Sequence, residues 1–113
     1  MTDKIVLLVT CGSAVEARTI AKALVGQRLA ACVNVVRTPV ESIYRWNGKV
    51  ERAKEVLLVI KTSTERFRAL EAEVKRLHSY DVPEIIALPI AAGSREYLGW
   101  IADCLSDGRR SKS

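Results

Sequence analysis

The chain of 113 residues is poor in several residue types that carry chemistry or rigid turns: it holds one histidine, one phenylalanine, one methionine and three prolines. It also lacks any apolar run that approaches the roughly 18 residues of a membrane-spanning helix. The apolar run at residues 5–9 is too short and wrongly flanked for a secretory leader, and no small-residue cleavage site follows it. We therefore expect a cytoplasmic protein that has no membrane partner.

Cysteines are also few, and their spacing is not that of a metal-binding motif. Cys11, Cys32 and Cys104 are odd in number and form no C-x-x-C pair, which argues against a zinc ribbon or a disulfide framework. Free thiols in a reducing compartment are the simplest interpretation. Cys32 lies within an apolar segment, so we predict that it is buried and reacts slowly with thiol reagents.

The net charge of +5 is unevenly distributed along the chain. Three of the 18 basic residues lie in residues 109–113, which leaves 15 basic against 13 acidic residues in the rest. That remainder shows no basic stripe of the kind that follows a nucleic-acid backbone. The sequence therefore predicts a single domain over residues 1–108, a disordered basic tail over 109–113 and no nucleic-acid partner.

Hydrophobic periodicity predicts the element order βαββαβ followed by a final helix. Strands are predicted over residues 5–10, 31–36 resuming at 40–46, 49–61 and 83–90, with helices over 13–26 and 62–77 and from residue 94. Pro39 interrupts the second strand, because proline cannot donate to a strand ladder. This order predicts an α+β, ferredoxin-like sandwich with one antiparallel sheet.

Local patterns place the ends of the helices. Ser13 to Glu16 and Thr62 to Glu65 both fit the capping box that opens a helix. Gly26 is the expected stop of the first helix.

Asn47-Gly48 predicts a tight hairpin between two long strands. Arms of about 13 to 15 residues, rising about 3.3 Å per residue, reach roughly 45 Å. A globule of this chain length is only about 34 Å across. The hairpin should therefore project, and its outer half carries the apolar residues Ile43, Tyr44, Trp46 and Val50. Exposed apolar groups on a projecting hairpin imply a partner surface.

Three blocks of sequence together resemble the CutA family of divalent-cation tolerance proteins. They are "RLAACVNVV" (28–36), "SIYRWNGKVE" (42–51) followed by "EVLLVIKTS" (55–63), and "HSYDVPEIIALPI" (78–90) with "GSREYLGW" (93–100). The resemblance implies a homotrimer that is interlocked by its hairpins and related in architecture to PII signal proteins. It also implies a link to copper and divalent-metal tolerance and no settled catalytic activity.

The resemblance places a candidate metal ligand at His78, with Cys11 two residues beyond the strand position where some relatives carry a cysteine. Glu84 is a further candidate that would complete a site. His78 also lies at a helix C-terminus, where the helix dipole favours histidine for structural reasons alone. Glu84 is alternatively solvated, or paired with Lys61 in a cleft between subunits. These alternatives stay open at the level of sequence.

Five aromatic residues are candidates for an interface or a cleft. They are Tyr44, Trp46, Tyr80, Tyr97 and Trp100. Aromatic residues at strand and helix spacing belong mostly to cores and interfaces, although they also line small-molecule pockets.

The favoured function is that of a non-enzymatic, trimeric protein of divalent-metal response. It requires no cofactor and binds copper or another divalent cation weakly, in clefts between subunits. A PII-like signalling or scaffold trimer that binds a small ligand or a protein partner is the alternative. A third hypothesis is a small acylphosphatase-like hydrolase that uses Thr10 to Ser13, a loop before a helix N-terminus where an anion can bind.

Overall fold

The computed structural model describes residues 2–106. Within this part of the chain, seven regular elements and one short 3-10 turn follow one another. They are β1 (Lys4–Cys11), α1 (Ala14–Gly26), β2 (Cys32–Trp46), β3 (Lys49–Ser63), the 3-10 turn (Thr64–Arg66), α2 (Phe67–Leu77), β4 (Ile85–Pro89) and α3 (Arg95–Leu105). The predicted βαββαβ order with a final helix is confirmed. The predicted tail over 109–113 lies outside the described residues.

The four strands form one antiparallel sheet in the order β2-β3-β1-β4. The β1 strand pairs with β3 along its whole length and with β4 on its other side. It runs from Lys4 to Cys11, which pairs with Val56, and is therefore one residue longer at each end than the sequence predicted. The strands β2 and β4 are therefore the two edges of the sheet, on opposite sides of the β1–β3 pair. This order determines which candidate site residues can lie close together.

The core lies between α1, α2 and one face of the sheet. Because successive strand residues point to opposite faces, Leu7 and Val9 of β1 face the helices together with Leu58 and Ile60 of β3, and all four are fully buried. The two helices contribute side chains at helical spacing: Ala17, Ile20, Leu24, Leu70 and Val74. The α3 helix adds a smaller cluster in which Ile101 and Leu105 contact Ala31.

Leu58→Ala should strongly destabilise this core. The substitution removes a fully buried side chain from the strand that carries most of the pairing, so we expect a loss of about 3 kcal/mol in the free energy of unfolding. Urea unfolding at fixed protein concentration measures the loss. Val15→Ala is the matched control on the exposed side of α1 and should change stability by less than about 0.5 kcal/mol. Equal effects of the two changes would show that Leu58 does not pack as described.

One predicted helix start is confirmed and the other is wrong. Ser13 caps α1, with its hydroxyl accepting a bond from the backbone N–H of Glu16 at 3.2 Å. Thr62 does not open α2, because it is fully buried in β3 and its hydroxyl donates to the carbonyl of Leu29 at 2.7 Å. Pairing with β1 extends β3 through Ser63, so this tertiary pairing overrides the local capping signal.

The proline prediction needs a correction, whereas the glycine prediction is confirmed. The backbone stays extended through Pro39, so β2 is one strand, but its pairing with β3 is interrupted between Val36 and Val40, where the register shifts. An exposed bulge accommodates a residue without an N–H. The α1 helix does end at Gly26, but Arg28 rather than the glycine adopts the left-handed backbone, with a φ of 59°.

The hairpin projects as predicted. Asn47 and Gly48 both have positive φ, 50° and 79°, as a type I′ turn requires. The chain measures 46 Å along its longest axis against 27 and 26 Å along the others. Ile43 and Val50 on the outer arms are about two-thirds exposed, at 68% and 67%.

The sheet face opposite α1 and α2 is apolar and incompletely covered. We call it the outer sheet face and define it by Val6, Leu8, Leu57, Val59, Ile86 and Leu88, which point away from the helices by strand alternation and register. All six are partly exposed, and Leu88 remains 50% exposed. Among the described residues, no helix is long and apolar enough to cross a membrane.

Candidate metal centre and the adjoining cavity

Three potential metal ligands lie close together at the end of β1, the start of α1 and the end of α2. Cys11 closes β1, Glu16 lies in the first turn of α1, and His78 caps α2. One ligand atom from each lies within 4.8 Å of the other two. The sequence predicted Cys11 and His78 as candidates, and the structure brings these two together with Glu16.

His78 has a buried ring, and both of its nitrogens have partners. The backbone N–H of Tyr80 donates to Nδ1 at 3.1 Å, so Nδ1 carries no proton and Nε2 donates to the Thr10 carbonyl at 2.7 Å. The carboxylate of Glu16 lies 3.3 Å from Nδ1. A carboxylate oxygen and an unprotonated ring nitrogen are both acceptors, and a cation or a proton between them would stabilise this contact.

Cys11 is fully buried beside these groups. Burial, together with the carboxylates of Glu16 and Glu55, raises the pKa of its thiol to about 12. The thiol is therefore protonated at neutral pH and becomes a metal ligand only by giving up its proton.

Two other predicted site residues lie elsewhere. Glu84 is exposed and is not part of the cluster. Lys61 contacts the Asn34 side chain and lies 3.9 Å from the Cys32 sulfur, both on β2. Lys61 lies on β3 level with Val6 of β1 and Leu88 of β4, whereas Glu84 precedes the other end of β4, so Lys61 and Glu84 are not neighbours within one chain. Cys32 is only partly buried, less than its apolar segment predicted.

Sequence reasoning missed Glu16 because it assigned this residue to the capping box. The backbone N–H of Glu16 does bond to Ser13, but its carboxylate turns towards α2, where it accepts a bond from the N–H of Ser79 at 3.3 Å. A glutamate in the first turn of a helix that follows a buried strand was the only local signal. Its meeting with His78 depends on how α1 and α2 pack.

A cavity of about 670 Å³ adjoins the cluster, between the hairpin and the connection from α2 to β4. Of the five predicted aromatic residues, Tyr44, Trp46 and Tyr80 line it. Tyr97 and Trp100 do not. Their rings lie 5.4 Å apart on α3, in the small cluster around Ala31.

Tyr80 forms the wall between cluster and cavity. Its hydroxyl donates to the Glu55 carboxylate at 2.8 Å, and its ring lies 4.7 Å from that of His78. Burial and the Glu55 carboxylate raise the pKa of Tyr80 to about 12, so the phenol remains a donor. A Cβ at Gly12 would lie 3.3 Å from the Tyr80 hydroxyl, which explains why a residue without a side chain suits that position.

The fold and the cluster define a small mixed α/β protein with a four-stranded antiparallel sheet, three helices and a cysteine–glutamate–histidine group. The profile of the family described as "CutA1 divalent ion tolerance protein" matches residues 5–104. The chain belongs to this family, as its sequence blocks predicted.

Individual relatives agree with this assignment. The Divalent-cation tolerance protein CutA of Thermus thermophilus is 57% identical over 98 residues, which is 87% of this chain and 94% of that protein, and its structure superposes with a TM-score of 0.85. The structure from Archaeoglobus fulgidus, described as a periplasmic CutA, has a TM-score of 0.88 at 41% identity and covers 91% of this chain and 99% of that one.

Eukaryotic relatives are longer. Protein CutA of the mouse is 46% identical over 93 residues, and the match spans 82% of this chain but 52% of the mouse protein. A rice relative is named as chloroplastic. Where the name of one of these relatives describes a function, that function is divalent-cation tolerance. None of the names mentions a reaction.

Proposed function

We propose that this chain is a non-enzymatic homotrimer that acts in tolerance to divalent metal ions and binds such an ion at Cys11, Glu16 and His78. The observation that carries this proposal is the convergence of those three ligand atoms within 4.8 Å. A thiolate, an imidazole and a carboxylate suit copper or zinc better than magnesium or calcium. Family membership adds the link to divalent cations.

The same geometry makes the proposed binding weak. A metal ion at Nδ1 would replace the bond from the Tyr80 N–H, and a metal ion at Sγ must displace a thiol proton whose pKa is about 12. Affinity is lowered by both costs. The cluster therefore suits a protein that responds to raised metal concentrations and needs no metal to fold.

Two exposed apolar surfaces support the trimer. The outer arms of the hairpin and the outer sheet face both present aliphatic side chains to solvent in the isolated chain. Surfaces of this kind mark protein contacts when they are contiguous. A closed assembly would bury the outer sheet face and part of the hairpin arms, whereas an edge strand with an apolar face left open would promote aggregation.

The proposal of a non-enzymatic protein is supported by the chemistry of the segment from Thr10 to Ser13, whose first two residues belong to β1 and not to the predicted loop. The raised pKa of Cys11 makes its thiol a poor nucleophile. The Ser13 hydroxyl is engaged as the cap of α1. Neither the Cys11 thiol nor the Ser13 hydroxyl is therefore an activated nucleophile that the acylphosphatase-like alternative could use.

A cytoplasmic location is part of the proposal and is supported by the three free cysteines, which suit a reducing compartment. Relatives differ in this respect, since some are named as periplasmic or chloroplastic. No nucleic-acid partner is proposed, because the acidic and basic residues of the described body nearly balance.

A PII-like ligand-binding trimer is the second candidate function, and the cavity of about 670 Å³ favours it. Its volume falls within the range of small-molecule sites.

Growth in raised copper tests the proposed function. We expect copper-sensitive bacteria that express the wild-type chain to grow at copper concentrations that stop cells expressing Cys11→Ala. Cys104→Ala is the matched control, because it removes a partly buried thiol on α3 and should protect like the wild type. Equal growth of all three strains at equal protein levels would contradict a role of the cluster in tolerance.

A further inference from the structure

The charged side chains that line the cavity are all carboxylates. They are Glu55, Asp81 and Glu84, and no lysine or arginine is among the lining residues. This is unexpected in a chain whose net charge is +5. The cavity is therefore a negative site on a positive protein, and its field favours a cationic occupant.

Glu55 is the strongest sign that the cavity receives a cation. The residue is only 7% exposed, and within residues 2–106 the one hydrogen-bond partner of its carboxylate is the Tyr80 hydroxyl. No lysine, arginine or histidine of the described residues forms an ion pair with it. A buried carboxylate without a counter-charge is costly, and a bound cation would remove that cost.

The walls of the cavity indicate which kind of cation fits. Tyr44, Trp46 and Tyr80 line the cavity beside the acids, and the faces of such rings attract organic cations. Ile43 and Val82 add apolar surface for a short alkyl chain. We propose that this cavity binds a small organic cation, a ligand that carries an ammonium group on an aliphatic body, with the ammonium at Glu55.

The arrangement does not suit a bare metal ion. Among the described residues, Cys11, Glu16 and His78 form the one group of histidine, cysteine and acidic ligand atoms close enough to share a metal. The three carboxylates of the cavity do not form such a group. The inference thus goes beyond the proposed metal site and does not require it.

Titration with 1-butylammonium and with 1-butanol tests the proposal. The two probes have similar volumes and differ in charge. Binding to the assembled wild-type protein and to each variant is followed by the nuclear magnetic resonance signals of the probe itself. We expect butylammonium to bind about tenfold or more tightly than butanol, since a cation among aromatic rings gains about that much.

Glu55→Gln should markedly reduce the preference for the ammonium, and the preference that remains comes from the aromatic rings and the two other acids. This change removes the charge and keeps an acceptor for the Tyr80 hydroxyl. Glu51→Gln is the matched control, because Glu51 lies on the same strand, is exposed and does not line the cavity; it should bind both probes like the wild type. If Glu55→Gln does not fold, Trp46→Leu, which keeps an apolar side chain without a ring, should also reduce the preference.

Three results would overturn the inference. Equal binding of the two probes to the wild type would show that charge is not recognised. An unchanged preference in Glu55→Gln would show that this carboxylate is not the binding group. Absence of binding, with a fall in molecular mass on Glu55→Gln, would show that a neighbouring chain fills the cavity. Zinc titration of the same samples tests the proposed metal site independently of the cavity, because Glu55→Gln leaves Cys11, Glu16 and His78 in place.

Discussion

Leu88→Asp is expected to dissociate the assembly. The wild type should have a mass near three times the 12.5 kDa chain, and the variant should have the mass of one chain. Leu88 lies on β4 in the outer sheet face and is half exposed in the isolated subunit. Burying an unpaired carboxylate in a subunit contact costs several kcal/mol, which outweighs what one apolar contact contributes.

Light scattering at micromolar concentration measures the two masses. Val15→Asp is the matched control, since Val15 is an exposed aliphatic residue on α1, away from the outer sheet face, and it should leave the assembly intact. Circular dichroism verifies that the Leu88→Asp subunit keeps its fold. A monomeric wild type, or a Leu88→Asp variant with unchanged mass, would contradict the proposed contact.

Cys11→Ala is expected to weaken zinc binding by about 100-fold or more. Loss of an outer-shell partner alone costs about 10–100-fold in metal affinity, and this change removes a direct ligand. Zinc is the probe because it is redox-silent and accepts thiolate, imidazole and carboxylate ligands. Calorimetric titration of the wild type and the variant gives the two dissociation constants.

The proton balance provides an internal check on the same experiment. The Cys11 thiol is protonated at neutral pH because its pKa is raised to about 12, so a zinc ion that binds Sγ releases that proton. Wild-type affinity should therefore increase as pH rises, and the dependence should be smaller in Cys11→Ala. Cys104→Ala should behave like the wild type. Equal zinc affinity in Cys11→Ala would remove Cys11 from the site.

Features encoded by neighbouring residues were predictable from the sequence. Asn47-Gly48 predicted its turn, because the backbone angles of that turn suit these two residues. The short run of apolar and β-branched residues at 5–10 predicted a buried strand, and Ser13 predicted the start of α1. In each case the deciding interaction lies within a few residues.

Features decided by distant parts of the chain were not predictable in the same way. Thr62 carries a valid local capping signal, but pairing with β1 keeps it in a strand. Glu16 joins Cys11 and His78 only because α1 and α2 pack side by side. Period two placed Tyr44 on the same strand face as Trp46, whereas their meeting with Tyr80 across the cavity depends on the path of the connection before β4.

Anomalous diffraction from crystals soaked in zinc tests the central claim most directly. The account predicts a trimer with one zinc peak in each chain, about 2.3 Å from the Cys11 sulfur and about 2.0–2.1 Å from a His78 nitrogen, with a Glu16 oxygen completing the protein ligands. Zinc peaks that lie only on other side chains, with none at Cys11, Glu16 and His78, would contradict it.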